Sequence, residues 1–259
     1  MATIHPSSIV DPKAELDSSV IVGPFCIIGP NVKIGAGTEL MSHLRVEGPT
    51  IIGKNNRFFP FSFIGAVPQD LKYKGEESEL IIGDDNRIRE CVTLNRGTTG
   101  GGNITRIGNN NLLMAYVHLG HDTIIKNDTV LANSVNIAGH VTVEEGARIG
   151  GITAVTQFVT IGRMAFIGAS CLVQKDIPPF ITATGNPVTP RGINKVGMER
   201  KGTSAETITQ ILRAYKILYL KNLTIADALA EIESNCNPSL PEIAEFLAFL
   251  RHSKNGIAR

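Results

Sequence analysis

The sequence predicts a mainly β chain that winds as a parallel β-helix and ends in a small helical subdomain. The first observation is a six-residue repeat of aliphatic or aromatic residues, which begins with Val10, Leu16, Val22, Ile28, Ile34, Leu40, Val46, Ile52, Phe58 and Ile64. A helix has a period near 3.6 residues and an amphipathic strand a period near 2, so a period of six indicates a short strand followed by a tight turn. Glycine often follows the repeat residue, as at Gly23 and Gly29. The repeat stops after Val173, and residues with helical spacing follow.

The composition agrees with a long and narrow core. The chain of 259 residues has 26 glycines and no tryptophan, and 5% of its residues are aromatic, which suits a column of stacked aliphatic side chains. The formal net charge is +1, so bulk charge gives no indication of a nucleic-acid partner.

Two interruptions of the repeat predict loops that leave the coil. Between Ile64 and Ile82 the repeat positions hold Asp70 and Glu76, whose charges cannot fill an aliphatic slot, so we expect an excursion near 66–80. That gap equals one coil in length, and a distorted coil is the alternative. After Leu94 the next step is longer than six, and the extra residues TTGGG predict a flexible loop near 97–106.

The sequence predicts three helices in the C-terminal part, after a proline-rich connector that contains DIPPF and TGNPVTP. Thr203 with Glu206, and Ser239 with Glu242, each have the spacing of a capping box, and Thr224 is a candidate cap for the helix between them. We therefore expect a β-helix over 1–190 and a helical subdomain over 191–259. Basic residues near the start of the helical part indicate either an ordinary solvated face or an acidic partner.

The four cysteines are scattered without CxxC spacing, and we expect reduced thiols in a cytoplasmic protein. The N-terminal segment lacks the basic start and apolar run of a signal peptide. No stretch is long and apolar enough to predict a membrane span.

Polar residues converge on one edge of the predicted coil. Three six-residue units make one turn, so residues eighteen apart lie on neighbouring coils about 4.8 Å apart. By this count one edge collects His118, His121, Asp122, Gly139, His140 and Gln157. Such a cluster is suited to acid–base chemistry, because a carboxylate orients a histidine and raises its basicity. A glycine between the levels can offer its N–H to an oxyanion.

Two other interpretations of the edge cluster stay open at this point. The three histidines could bind zinc and activate water. Alternatively, the chain could be a non-catalytic β-helical scaffold, in which the edge histidines could be replaced without biochemical effect.

The order of motifs resembles one acyltransferase family over essentially the whole chain. The segments that carry the resemblance are QDLKY, IRECVTLNRGT, TTGGGNIT, HLGHD, NIAGHV, GGITAVTQF, DIPP and GNP. They are similar to those of the UDP-N-acetylglucosamine O-acyltransferases, which open lipid A biosynthesis. The resemblance implies a left-handed parallel β-helix of hexapeptide repeats with a C-terminal three-helix subdomain, and a homotrimer with active sites between subunits. It also implies transfer of an (R)-3-hydroxyacyl group from acyl carrier protein to the 3-hydroxyl of UDP-N-acetylglucosamine, with no metal and no cofactor beyond the carrier's phosphopantetheine arm.

The resemblance also implies roles for individual residues. His121 matches the general base, Asp122 the carboxylate that orients it, and Gly139 the oxyanion donor. The substrate-binding positions correspond to Gln69, Asp70, Lys72, His118, His140, Gln157, Asn194, Arg200 and Lys201. The residue that closes the acyl channel corresponds to Ala169. The chain departs from the family at Lys201, where Arg is frequent, and at Thr156, where His is frequent.

Two related enzyme classes are the alternatives. A UDP-sugar N-acyltransferase of the same pathway carries a sizeable N-terminal domain, whereas here the repeat begins at Val10. A hexapeptide acetyltransferase that uses acetyl-CoA is the more distant alternative.

Overall fold

The structure is a computed structural model that describes residues 1–259. Most of the chain is built from very short strands, the majority of two residues. The first fourteen strands are β1 (Thr3–Ile4), β2 (Ile9–Val10), β3 (Glu15–Leu16), β4 (Ile21–Val22), β5 (Ile27–Ile28), β6 (Val32–Ile34), β7 (Glu39–Leu40), β8 (Arg45–Val46), β9 (Thr50–Ile52), β10 (Arg57–Phe58), β11 (Phe63–Ala66), β12 (Glu79–Ile82), β13 (Arg87–Ile88) and β14 (Thr93–Asn95). The others are β15 (Ile104–Ile107), β16 (Leu112–Leu113), β17 (His118–Leu119), β18 (Ile124–Ile125), β19 (Val130–Leu131), β20 (Asn136–Ile137), β21 (Thr142–Val143), β22 (Arg148–Ile149), β23 (Ala154–Val155), β24 (Thr160–Ile161), β25 (Phe166–Ile167), β26 (Leu172–Val173), β27 (Ile181–Thr184) and β28 (Thr189–Ile193).

Successive strands go to three different sheets, and each strand of the coil pairs in parallel with the strand one coil on. The first sheet starts with β1, the second with β2 and the third with β3. In the regular coils Leu113 pairs with Leu131, and Leu119 with Ile137, so one coil takes eighteen residues. The fold is the parallel β-helix that the repeats predict, with the left-handed winding that the resemblance implies.

The period of the sequence follows from how each short strand places its side chains. Consecutive residues of a strand point to opposite faces. Ile124 accordingly is 37% exposed, whereas its neighbour Ile125 is 1% exposed. The inward residues form one continuous apolar core that extends into the C-terminal helices. Burying an aliphatic side chain the size of isoleucine stabilises the folded chain by about 1.5–3 kcal/mol.

Both interruptions of the repeat enlarge a coil instead of ending it. Thr50 pairs with Leu80, thirty residues later, and Ile82 pairs with Ile107, twenty-five residues later. The first interruption is therefore an excursion, residues 67–78, and not a distorted coil. The second, residues 96–103, contains a short 3-10 turn at Thr99–Gly101.

The C-terminal part contains one helix more than the three predicted. The helices are α1 (Lys195–Arg200), α2 (Ala205–Leu220), α3 (Ile225–Asn235) and α4 (Pro241–His252). The short α1 follows directly on β28, which pairs antiparallel with β27. The boundary predicted from the sequence, between residues 190 and 191, falls within β28. The sequence-based prediction missed α1 because six residues are too few to show helical periodicity.

Two of the three predicted helix caps are wrong by one residue. Ser204, not Thr203, caps α2 by accepting from the N–H of Thr207. Thr224 caps α3, as predicted, by accepting from the N–H of Asp227. The N-cap of α4 is Leu240 in place of Ser239, because Pro241 starts that helix with its fixed φ angle and no N–H to satisfy.

A half-buried ion pair ties the helices to the last coils. Arg163 donates from Nε to the carboxylate of Glu245 at 2.7 Å and lies over the ring of Phe180. Burial raises the pKa of Glu245, and the Arg163 guanidinium acts in the opposite sense. None of the four helices combines the length and apolarity that crossing a membrane requires.

Candidate active site

The predicted edge cluster lies where the chain turns from the second sheet to the third. His121 and Asp122 follow β17 and precede β18, and Asp122 adopts a left-handed backbone with φ of 59°. Asn and Asp tolerate this conformation better than other residues with a side chain. Both residues are almost fully buried, at 7% and 6% exposure.

His121 and Asp122 form a hydrogen-bonded pair. Nδ1 of His121 lies 2.7 Å from Oδ2 of Asp122. Because a carboxylate oxygen only accepts, Nδ1 donates, and Nε2 of the neutral ring is left as an acceptor. Nε2 has no partner within the chain and can take a proton from a ligand.

Gly139 lies directly against the imidazole of His121. A Cβ atom on Gly139 would sit 2.6 Å from Cε1 and 2.7 Å from Nε2 of that ring, so only glycine fits. The N–H of Gly139 has no hydrogen-bond acceptor within the chain. A free donor beside a free acceptor is the arrangement that proton transfer coupled to oxyanion formation requires.

His140 stands on the next coil above Asp122, as the count of eighteen predicts. Its ring is perpendicular to that of His121 with centroids 5.0 Å apart, and its Nε2 lies 3.7 Å from Oδ2 of Asp122. Burial lowers the pKa of His140, and the Asp122 carboxylate opposes that shift. The ring is therefore neutral near pH 7 and can donate or accept.

His118 lies on the outer face of the second sheet, beside the same edge. Its Nδ1 is 2.7 Å from the hydroxyl of Thr93 on the coil below. Burial lowers the pKa of the His118 imidazole. Gln157, one coil above Gly139, is exposed to solvent.

The first excursion returns to this edge. Asp70 is close enough for its charge to act on His140, where it favours the protonated ring. Its carboxylate accepts from the N–H of Lys72 at 2.9 Å, which forms a tight turn. Gln69 and Lys72 are exposed on the same turn. The structure thus brings the predicted sugar-contact loop toward the histidines.

Asn194, Arg200 and Lys201 gather elsewhere, in a cavity of about 570 Å³ on the outer face of the first sheet. We call this the basic cavity, because Arg148 and Lys195 line it too. Lys201 pairs with Asp128 at 3.3 Å, whereas Arg200 makes no ion pair. Asn194 is buried and caps α1, accepting from the N–H of Gly197 and donating to the carbonyl of Met164. These two hydrogen bonds hold the side chain of Asn194 at the start of α1, on the wall of the basic cavity.

The edge cluster and the basic cavity lie on opposite sides of the same chain. His121 lies between the second and third sheets, and the basic cavity lies on the first sheet. In a three-sided coil the edge between two faces is opposite the third face. Ala169 lies at a further edge, between β25 and β26, and is exposed.

The metal alternative can be judged from the donors that the structure assembles. His121, Asp122 and His140 offer ligand atoms within 4.8 Å of one another, while His118 lies outside the group. The predicted set of three histidines is therefore not brought together. Both oxygens of Asp122 already accept hydrogen bonds, from Thr98 and from His121, so a cation would have to displace these donors.

Sequence reasoning missed Thr98, Thr93 and Phe158. Thr98 and Thr93 hydrogen-bond to Asp122 and to His118, respectively, and the ring of Phe158 stacks on that of His140. The count of eighteen could have found Phe158, which stands one coil above His140. Thr93 and Thr98 could not be found in this way. The loop at 96–103 adds residues to their coil, so their partners do not lie eighteen residues away.

Comparisons with known proteins identify the family. The chain is 47% identical over 262 residues to the acyl-[acyl-carrier-protein]–UDP-N-acetylglucosamine O-acyltransferase of Herminiimonas arsenicoxydans, and 47% identical over 259 residues to that of Thermodesulfovibrio yellowstonii; both alignments cover all of each chain. The chain belongs to the UDP-N-acetylglucosamine O-acyltransferase family. It is therefore an acyltransferase, and the resemblance seen in its motifs is confirmed.

Family models and solved structures agree with this assignment. Residues 176–258 match the second domain of UDP-N-acetylglucosamine O-acyltransferase, and residues 104–139 match the bacterial transferase hexapeptide. The UDP-N-acetylglucosamine acyltransferase of Bacteroides fragilis superposes with a TM-score of 0.97 at 41% identity, covering 99% of this chain and 100% of that one. The enzyme of Moraxella catarrhalis gives 0.95 at 42% identity, covering 99% of both.

Proposed function

We propose that the chain transfers an (R)-3-hydroxyacyl group from acyl carrier protein to the 3-hydroxyl of UDP-N-acetylglucosamine, the first step of lipid A biosynthesis. The names of the full-length relatives supply the donor and the acceptor. The observation that carries the mechanism is the free Nε2 of His121 beside the free N–H of Gly139.

In the proposed reaction His121 acts first as base and then as acid. Nε2 takes the proton of the sugar hydroxyl while that oxygen attacks the thioester carbonyl, and the Gly139 N–H stabilises the resulting oxyanion. Collapse of the tetrahedral intermediate breaks the carbon–sulfur bond, and the imidazolium returns its proton to the departing thiolate. Asp122 orients the ring and stabilises its charged form, so no metal or additional cofactor is required.

The remaining edge residues are proposed to hold the sugar and the start of the acyl chain. His118, His140 and Gln157 surround the reacting centre on three coils, and Gln69, Asp70 and Lys72 approach from the first excursion. Neutral histidines suit this task, because an uncharged sugar ring offers hydroxyl and amide groups.

We propose that the active enzyme is a homotrimer in which each site combines two subunits. Asn194, Arg200 and Lys201 lie across the coil from His121, so one chain alone cannot present both groups to one substrate. A neighbouring copy that turns its first sheet toward the His121 edge would bring them together. The basic cavity then holds the diphosphate or the phosphopantetheine phosphate, with Arg200 as the cation that makes no ion pair.

The cellular setting is proposed to be the cytoplasm. All four cysteines are free, and Cys26, Cys171 and Cys236 are buried. Buried thiols without disulfides suit a reducing compartment.

One assay tests the proposed function. The purified enzyme is incubated with UDP-N-acetylglucosamine and a panel of hydroxyacyl carrier proteins, with and without a chelator, and the product is identified by mass. We expect an O-acylated UDP-sugar whose formation is unchanged by the chelator. Loss of activity with the chelator, restored by zinc, would favour the metal alternative, and absence of any product would contradict the proposal.

A further inference from the structure

Thr98 places both of its hydrogen-bond donors on one carboxylate. Its backbone N–H lies 2.7 Å from Oδ1 of Asp122, and its hydroxyl lies 2.6 Å from Oδ2. Thr98 is 5% exposed, and the Asp122 side chain is 1% exposed. The second excursion, which the sequence predicts only as a flexible loop, therefore ends on the residue that orients the candidate base.

The glycine run brings the loop into contact with this carboxylate. A Cβ atom on Gly101 would overlap Asp122, at 2.0 Å from Cγ, so a larger residue there would push the loop away. The carbonyl of Thr98 accepts from the N–H groups of Gly101 and Asn103, at 3.1 Å and 2.8 Å. Two N–H groups of the short turn thus bond to Thr98 itself, which holds this residue against Asp122.

The other end of Asp122 is fixed as well. Its N–H donates to the hydroxyl of Thr105 at 2.8 Å, and Thr105 is fully buried. With the backbone held by Thr105 and both carboxylate oxygens held by Thr98, the carboxylate has one orientation. In that orientation Oδ2 meets Nδ1 of His121.

We propose that Thr98 is a positioning residue for acyl transfer, which acts on His121 through Asp122. The proposal rests on the proposed function in one respect: it takes His121 as the base. Oδ2 is shared between the Thr98 hydroxyl and the imidazole, so loss of the hydroxyl frees the carboxylate to rotate away from the ring. Small misplacements of a catalytic group cost large factors in rate. Nε2 of His121, the atom proposed to take the sugar proton, lies on the far side of the ring from Nδ1, which faces Asp122, so we expect substrate binding to change less than turnover.

The test compares three threonine variants. Thr98→Val removes the hydroxyl at nearly constant volume, and we expect kcat to fall about ten- to a hundredfold, the range for a hydrogen bond to a charged group, with both KM values within about twofold. Thr98→Ser keeps the donor and is expected to retain most of the activity. Thr99→Val is the matched control, because the neighbouring hydroxyl bonds to Glu76 and not to Asp122; its kcat is expected to stay near that of the parent.

A double-mutant cycle separates positioning from general loosening of the loop. Adding Thr98→Val to Asp122→Asn is expected to cause little further loss, since the carboxylate through which Thr98 acts is already gone. In the proton NMR spectrum, the downfield Nδ1 proton of His121 is expected to persist in Thr99→Val and to broaden in Thr98→Val. Thr98→Ala serves the same purpose if the valine variant folds poorly.

Full activity of Thr98→Val, or losses that multiply in the double variant, would overturn the positioning role while leaving His121 as base. An active His121→Ala enzyme, or a parent without activity on UDP-N-acetylglucosamine, would instead overturn the proposed function itself.

Discussion

The rings of His140 and Phe158 lie parallel, with centroids 4.6 Å apart and an angle of 8° between their planes. The phenyl ring covers one face of the imidazole, and the His121 ring meets the imidazole at right angles. His140 is thereby held in one orientation between the candidate base and an aromatic support. Aromatic pairs of this kind contribute about 0.5–1.5 kcal/mol beyond the area that they bury.

Replacing Phe158 by Leu removes the stack and keeps an apolar contact. We expect KM for UDP-N-acetylglucosamine to rise about two- to tenfold, in line with the energy of an aromatic pair, because His140 is proposed to contact the sugar. Steady-state kinetics with the acyl donor in excess measure the effect. Phe158→Tyr, which retains the ring, and Phe25→Leu, an exposed aromatic on a different edge, are the controls and should behave as the parent. An unchanged KM in Phe158→Leu would mean that the stack does not orient a sugar contact.

Replacing His121 by Ala tests the base. We expect turnover to fall at least about a hundredfold, the usual scale for loss of general acid–base catalysis. The melting temperature should change little, since an edge residue contributes little to the apolar core. His43→Ala alters an exposed histidine on a different edge and is expected to be fully active. A folded His121→Ala enzyme with near-normal turnover would remove His121 from the mechanism.

The buried imidazole of His118 predicts how stability depends on pH. Burial lowers its pKa in the folded state below the unfolded value near 6.5. The unfolded chain therefore binds the proton first, so the folded state is favoured above about pH 6.5 and loses this contribution as the pH falls toward the folded pKa. Urea unfolding at fixed protein concentration should show a smaller decline between pH 7 and 5 in His118→Asn than in the parent. His5→Asn, which alters an exposed histidine, should leave the slope unchanged; equal slopes in all three proteins would contradict the linkage.

The regular coils could be predicted almost completely from the sequence. Each short strand buries one residue at a fixed spacing, so the repeat itself determines which residues stack, and the neighbours His121–Gly139 and Asp122–His140 follow by counting. The helix α1 and the caps of α2 and α4 could not be located in the same way. Their positions depend on one or two local contacts, such as Ser204 with Thr207, that leave no periodic signal.

The candidate site could be predicted only as far as the count of eighteen applies. The two loops add residues to their coils, so the partners of Thr98 and Thr93 could not be obtained by counting. The separation of His121 from Arg200 could not be predicted either, because the sequence does not show which face of the coil α1 packs on. The partners of the two threonines and the separation of His121 from Arg200 could be established only from the three-dimensional structure.

Exposed cations in the basic cavity and on α2 predict a salt-dependent interaction with an acidic donor. Acyl carrier protein is strongly acidic, and Arg200 and Lys216 are exposed cations near the start of the helical part. Arg200→Glu and Lys216→Glu should each raise KM for the carrier protein and make it less sensitive to salt than in the parent. Lys13→Glu places the same charge change on the first coils and should have no effect. If KM and its salt dependence stay unchanged in both variants, the carrier protein docks elsewhere.

Ala169 is expected to set the length of the acyl chain. His121 and Ala169 lie at the two edges that bound the second sheet, and the outward residues Asn136, Ala154 and Leu172 form the surface between them. Counting coils, the rise from His121 to Ala169 is roughly 13 Å at the spacing of strands in a sheet, comparable with a medium-to-long acyl chain.

A methyl group at the end of such a channel restricts the tail, since overpacking a closed site costs about 1–3 kcal/mol. We therefore expect Ala169→Gly to shift selectivity to longer hydroxyacyl donors and Ala169→Met to shift it to shorter ones. The measurement is a competition between carrier proteins loaded with different chain lengths, scored by the mass of the product. Ser170→Ala, one residue on at the same edge, is the matched control and should keep the profile of the parent. Because Ala169 is exposed in a single chain, the channel that it closes would be completed by the neighbouring subunit. A length profile that is identical in the parent and in both Ala169 variants would show that the tail ends elsewhere.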